Sequence, residues 1–289
     1  MPKVTPKPSW LNKRIALGSC HKVKSILRDL SLHSVCEESS CPNMSECFQG
    51  RVATFMILGD TCTRECTFCG INKGEPSVVD FDEPRRIKEA VKKLSLNYVV
   101  ITSPTRDDLD DGGADLFYQT VEAIMSLDHG KTVEILIPDF KGKVDSIERV
   151  ARSRAKVISH NLETPASLYI KVRTGSVYRR SLEVLRLIKE MNRKVLTKSG
   201  LILGLGEEEE EVIQALLDLR SVGCDLLTLG QYLPPSLKHY PLKCYIRPDK
   251  FAYFQEYAQK IGFQGVKSGP YVRSSYLAHT LLESNYCSS

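Results

Sequence analysis

From residue 51 onward, short apolar runs alternate with amphipathic ones, and this alternation restricts the fold more than any other feature of the chain. The runs RVATFMIL (51–58), YVVIT (98–102), TVEILI (132–137), AKVIS (155–159), KVLTKSGLIL (194–203) and LLTLG (226–230) read as strands. Helices are predicted over 84–94, 114–126, 144–152, 181–191, 208–222 and 250–261. In the fifth of these, Val212, Ile213, Leu216, Leu217 and Leu219 make one apolar face. Glutamates 207–211 stand at its start, where negative charge complements the helix dipole. Six strand–helix units in series call for a parallel sheet with right-handed crossovers. A closed barrel needs eight, so the expected fold is α/β, an open, partial (β/α)6 TIM-type barrel. Chemistry in such sheets gathers at the C-terminal ends of the strands. Segments 1–50 and 266–289 fall outside the pattern.

A chain of 289 residues with 42% hydrophobic and 26% charged residues can bury a single large core. The formal net charge of +5 is too mild to imply nucleic acid, though it suits an acidic protein partner. No apolar run approaches the roughly 18 residues of a membrane span. The start, MPKVTPKPSWLNKR, lacks the apolar core of a secretory signal and reads as a flexible arm, so a cytoplasmic protein is expected.

Six of the ten cysteines lie between Cys36 and Cys69. A secreted disulfide scaffold would be shorter and would spread its cysteines, so the cluster points to metal. The scattered Cys20, Cys224, Cys244 and Cys287 read as small apolar side chains. CTRECTFC places Cys62, Cys66 and Cys69 directly after the first strand in a C-x3-C-x2-C spacing. Three thiolates in one loop hold three irons of a [4Fe–4S] cube and leave the fourth open. Structural zinc usually closes a tetrahedron with four protein ligands, often as two separated pairs, and a lone triplet matches that poorly. Upstream, CEESSCPNMSEC offers a second triplet, Cys36, Cys41 and Cys47, in a C-x4-C-x5-C spacing.

The C-x3-C-x2-C spacing, with Phe68 before its last cysteine, resembles the radical S-adenosylmethionine (SAM) superfamily, in which SAM chelates the open iron. The two triplets together resemble lipoyl synthases, in which the upstream triplet carries an auxiliary [4Fe–4S] cluster. Further blocks occur in that family's order: SPTRDDLDDGGA, VEILIPDFKG, HNLET, TKSGLILGLGE, GQYLPPSLKHYP and SGPYVRSSYLAH. Pro104 is a small departure from the family's usual residue. The resemblance implies two [4Fe–4S] clusters and SAM as cofactors. It implies an N-terminal extension with the auxiliary motif (1–47), a radical SAM partial barrel (48–264) and a C-terminal segment with the RSSY motif (265–289). That last segment is expected to fold back, with Ser275 ligating the auxiliary cluster and Arg273 beside it in the catalytic centre. The implied reaction is insertion of two sulfur atoms at C6 and C8 of a protein-bound octanoyl chain. Implied partners are octanoylated lipoyl domains of 2-oxoacid dehydrogenases, the glycine-cleavage H protein, reduced flavodoxin or ferredoxin, and an iron–sulfur carrier protein. Other readings are a biotin-synthase-like sulfur inserter, against which the upstream triplet argues, and a non-catalytic metal-binding scaffold.

For SAM, Gly204 and Gly206 of LGLGE permit close backbone approach after a strand, and the turn resembles the family's adenine-contacting one. Asn161 and Glu163 of HNLET are candidate contacts to the ribose or amino-acid portion, and Lys198 to the carboxylate. Each serves equally as an ordinary polar residue of the barrel interior. The aspartate-rich stretch 105–115 reads as a helix-capping loop on the active face. His160, His239 and His279 are assigned hydrogen-bonding roles, since the cysteines already account for the metal.

Overall fold

The computed structural model describes residues 6–12, 20–38, 41, 43–49, 52–127 and 130–283. In chain order the elements are α1 (Cys20–Asp29), β1 (His33–Ser34), α2 (Val35–Glu38), α3 (Met44–Gln49), β2 (Val52–Met56), β3 (Thr61–Cys62), β4 (Asn72–Lys73), α4 (Glu83–Lys93), β5 (Tyr98–Thr102), α5 (Ala114–Met125), β6 (Thr132–Leu136) and α6 (Val144–Ala151). They continue with β7 (Val157–Ser159), α7 (Tyr169–Val172), α8 (Tyr178–Met191), β8 (Leu196–Leu203), α9 (Glu209–Ser221), β9 (Leu226–Gln231), α10 (Pro248–Lys260), β10 (Gly265–Gly269) and α11 (Thr280–Glu283).

One sheet runs β1-β2-β5-β6-β7-β8-β9-β10. Every neighbouring pair in it is parallel except β1 with β2. The strands read as continuous apolar runs because both their faces are covered. Val99, Ile101, Val133, Ile135 and Ile158 pack outward with Ile87, Phe117, Ile147 and Ile188 of the helices. A second cluster joins Leu201, Leu203, Leu227 and Leu229 to Leu216, Phe251 and Phe254. Pro84 and Pro248 open α4 and α10, where a missing N–H is harmless. Glu208 and Glu211 form a reciprocal capping box on α9.

The six strand–helix units stand, and the sheet is the expected partial barrel with two strands more, the antiparallel edge strand β1 and β10. β10 adds a seventh parallel strand in a stretch set outside the pattern. Its sequence, GVKSG, carries one apolar residue, so alternation cannot reveal it; it is held by pairing with β9 instead. The N-terminal arm is also partly ordered. Ser9–Leu11 form a single 3-10 turn, Leu11 is buried, and the Tyr271 hydroxyl donates to its carbonyl. Residues 1–5 and 13–14 of the arm, and Cys287, lie outside the described residues.

Alternate residues on the strands face inward, where they meet the C-terminal segment rather than helices. Ala278 packs on Val52, Tyr98 and Val100 from the first strands. Lys267 Nζ, on the last strand, donates to the Leu277 carbonyl at 3.1 Å. The segment therefore lies across the open side of the barrel, touching both ends of the sheet. Two glycines make room for it. A Cβ at Gly230 would stand 2.1 Å from the Val272 carbonyl oxygen, and one at Gly200 would stand 3.1 Å from Ser274 Oγ.

Candidate active site

The loop bearing Cys62, Cys66 and Cys69 leaves the C-terminal end of β2 and is tied to the loops that follow the later strands. Arg64 is buried within it. Its Nε and Nη2 donate to the two oxygens of Asp107 at 2.7 and 3.0 Å, and Nη2 also reaches Asp139 Oδ1 at 2.6 Å. Burial pushes the Asp139 carboxyl up, but the bond and charge of Arg64 outweigh it and hold the group at about 2. Thr63 N donates to the Thr105 carbonyl, and Thr67 N to that of Val172, both at 3.0 Å. The three thiols share one environment. Burial pushes Cys69 up to about 11 and raises Cys66 as well, and the neighbouring sulfurs add to both. Iron would replace those protons, since a coordinating thiol is deprotonated outright. Among the described residues no three or more His, Cys, Asp or Glu converge on a single-ion site; a cubane, with separate iron corners, asks for no such convergence.

The second triplet is spread over α2 (Cys36), the turn after it (Cys41) and α3 (Cys47). Cys41 N donates to the Cys36 carbonyl at 3.0 Å and Cys47 N to that of Asn43 at 3.1 Å. The Cys36 thiol is raised first by its hydrogen bond with Cys41, then by burial, then by the charges of Cys41 and Cys47. The C-terminal segment is stitched to this triplet. Asn43 Nδ2 donates to the Tyr271 carbonyl, and the Tyr276 hydroxyl to Glu46 Oε2, both at 2.6 Å.

Between these two bonds lie Arg273, Ser274 and Ser275. Arg273 is lowered by burial, against the pull of Cys41 and then Glu163. Glu163 in turn raises Cys66 and Cys69. Ser274 is engaged: its hydroxyl accepts from Asn161 Nδ2 and its carbonyl from Lys198 Nζ, both at 2.6 Å. Ser275 is half-buried, and its hydroxyl makes no hydrogen bond among the described residues.

The expected SAM contacts divide. Asn161 is only 8% exposed, and its Oδ1 has no partner while Nδ2 donates to Glu163 at 2.9 Å. A buried acceptor left open, beside a carboxyl that burial raises, fits a polar ligand. Phe68 packs on Leu168, Val172, Leu205 and Tyr232, an apolar wall next to the cysteines. Lys198 lies beneath the RSSY segment. It is fully buried, ion-paired with Glu134 at 2.8 Å and bonded to the Ser274 carbonyl, so it supports that segment from below. Tyr98 and Ser159 complete the Glu134 network at 2.7 and 2.8 Å. Gly204 and Gly206, with φ near +104° and +103°, owe their identity to the turn: a Cβ on Gly204 would stand 2.4 Å from Gln231 Nε2. His160 has the structural role expected of it, bonding the Ile137 carbonyl and Ser181 at 2.9 Å each; burial lowers it to about 4. Arg64, Glu134 and Arg173, whose Nη1 donates to the Asn161 carbonyl at 2.6 Å and to the Tyr169 hydroxyl at 2.7 Å, escaped the sequence reading. An arginine inside a cysteine loop facing five aspartates was the available signal for the first; the other two depend on three-dimensional neighbours alone.

Relatives define the class first. The profile of the Radical SAM superfamily matches residues 56–219. Two solved structures share the fold: methylornithine synthase (TM-score 0.57, 16% identity, 84% of this chain and 74% of that one) and HydG, a maturase of the [FeFe]-hydrogenase (0.54, 12%, 90% and 74%). The profile of the N-terminal domain of lipoyl synthase matches residues 4–41. The lipoyl synthase of Caldicellulosiruptor saccharolyticus is 54% identical over 275 residues, covering 95% of this chain and 96% of its own. That of Geotalea uraniireducens is 52% identical, covering 96% and 97%. The chain is thus a radical SAM protein, and within that superfamily it belongs to the lipoyl synthase family.

Proposed function

We propose that the chain inserts two sulfur atoms, at C6 and C8, into an octanoyl chain amide-linked to a lysine of a carrier protein. Cys62, Cys66 and Cys69 hold one [4Fe–4S] cluster with a corner left for SAM. Cys36, Cys41 and Cys47, with Ser275 as fourth ligand, hold the other. When bound, the first cluster with SAM supplies a radical able to remove hydrogen from unactivated carbon, and the second supplies sulfur. The chain's own part is placement and exclusion. Arg64 fixes the cysteine loop to two other loops. Asn161 Oδ1 and Glu163 present polar contacts to SAM, and Phe68 with its apolar neighbours keeps water from that side. Lys198 and Glu134 hold the Ser274 carbonyl, and with it the height of Ser275. Arg273 sits between the two triplets as a positive group in the reacting space.

The observation that carries this reading is the pair of bonds, Asn43 to Tyr271 and Tyr276 to Glu46, that bracket Ser275 against the second triplet. The units proposed are the N-terminal extension (1–47), the barrel (48–264) and the C-terminal segment (265–289). Carriers are lipoyl domains of 2-oxoacid dehydrogenases and the glycine-cleavage H protein. Reduced flavodoxin or ferredoxin gives electrons, an iron–sulfur carrier protein rebuilds the second cluster, and the site of action is the cytoplasm. No helix among the described residues is long and apolar enough to cross a membrane. The test is anaerobic incubation of reconstituted protein with SAM, dithionite and an octanoylated lipoyl-domain peptide, read by mass spectrometry. Two added sulfurs support the reading, as does a content of roughly eight irons and eight sulfides per chain, the count for two cubanes. Zinc without sulfide, and unmodified peptide, would overturn it in favour of a metal-stabilised scaffold.

A further inference from the structure

Three distant segments border the loop of Cys62, Cys66 and Cys69. β4 pairs with β3 so that Lys73 lies opposite Cys62. α7 meets Thr67, whose Oγ1 donates to the Lys171 carbonyl at 2.9 Å. The 235–240 loop reaches the same threonine: Tyr240 N donates to its carbonyl at 2.8 Å, and Pro235 Cγ would stand 3.2 Å from a Cβ on Gly70. Each segment presents groups to solvent that the chain itself does not use. Ile170 is 89% exposed and Leu237 fully exposed. Lys73, Lys171 and Lys238 are exposed and enter no ion pair among the described residues, with Glu65 the exposed acid inside the loop.

A single exposed aliphatic is ordinary. These two are different because their segments flank one loop, carry exposed lysines beside them, and border a group that must be reduced from outside. Encounters between redox proteins are small and transient, and they rely on complementary charge for speed and register. Two exposed aliphatic side chains on neighbouring segments, with lysines beside them, suit such an encounter better than a permanent interface.

We propose that Ile170, Lys171, Leu237 and Lys238, with Lys73 at the edge, dock an acidic one-electron carrier protein. It passes one electron to the cluster held by Cys62, Cys66 and Cys69 and departs oxidised by one electron. This rests on the assignment of that cluster in the preceding section.

The test uses cluster-loaded full-length chain carrying Lys171→Glu with Lys238→Glu, and separately Leu237→Ser. Initial rates of 5′-deoxyadenosine formation are measured at saturating octanoylated peptide, once with reduced flavodoxin as the varied donor and once with dithionite. For the charge-reversed protein kcat/KM for flavodoxin falls about tenfold or more at low ionic strength, in line with the 10–10³ range of electrostatic steering. The deficit narrows as salt rises. Leu237→Ser lowers the same quantity at all salt concentrations. With dithionite, rates and the peptide KM stay at wild-type values. Unchanged flavodoxin dependence overturns the proposal. So does an equal loss with dithionite, which marks a damaged loop, and so does a raised peptide KM, which marks the surface as the substrate carrier's. Failure of wild-type protein to form 5′-deoxyadenosine with dithionite would instead overturn the functional reading beneath it.

Discussion

Ser274 and Ser275 are adjacent and chemically alike, yet the structure gives them opposite employment. Ser274 is bound through its hydroxyl to Asn161 and through its carbonyl to Lys198. Ser275 has a hydroxyl free to ligate. If Ser275 ligates iron as proposed, a proton at Oγ would release it where a cysteine would hold, since a serine alkoxide is far more basic than a thiolate. Ser275→Cys should assemble a cluster and form 5′-deoxyadenosine but stall sulfur insertion. Ser274→Ala loses one hydrogen bond, about 1 kcal/mol, and should keep two-sulfur turnover. Quantifying peptide with one and two sulfurs in both variants checks this; full turnover by Ser275→Cys would contradict it. Beneath them, Lys198→Met strands a buried carboxylate. Breaking a buried pair costs about 3–5 kcal/mol, and the lower end is expected because Tyr98 and Ser159 still donate to Glu134. Urea unfolding of the metal-free chain measures the loss, and Lys198→Met with Glu134→Leu should recover most of it.

Among the elements, the C-terminal segment depends on close approach to the sheet. At Gly230 an added Cβ would meet the Val272 carbonyl at 2.1 Å, and that neighbour is backbone that cannot rotate away. Gly230→Ala should therefore lift the segment off the barrel end, reducing sulfide content and abolishing thiolated product while 5′-deoxyadenosine persists. Wild-type product yield from this variant would contradict the account. This dependence also marks the limit of what the sequence made legible. Six strands and six helices declared themselves through period and apolar content, with ends displaced by no more than three residues. β10 did not, because GVKSG has nothing to alternate. The return of residues 270–279 across the barrel was readable only by resemblance, since it rests on single bonds to scattered positions, among them Asn43 with Tyr271 and Lys198 with Ser274. From sequence, Lys198 reads equally as a SAM contact or an interior polar residue; its partner Glu134 is 64 residues away and gives no local signal.

Over the whole molecule, the C-terminal segment is bonded both to the second triplet's segment, through Asn43 and Glu46, and to the barrel strands, through Asn161 and Lys198. Division of labour between the two cysteine triplets is the central claim. The most direct measurement compares two alanine triple variants under dithionite, SAM and octanoylated peptide, reading 5′-deoxyadenosine and added sulfur together. Replacing Cys62, Cys66 and Cys69 should abolish both. Replacing Cys36, Cys41 and Cys47 should abolish added sulfur and leave 5′-deoxyadenosine forming without it. Sulfur insertion by the second variant would contradict the account.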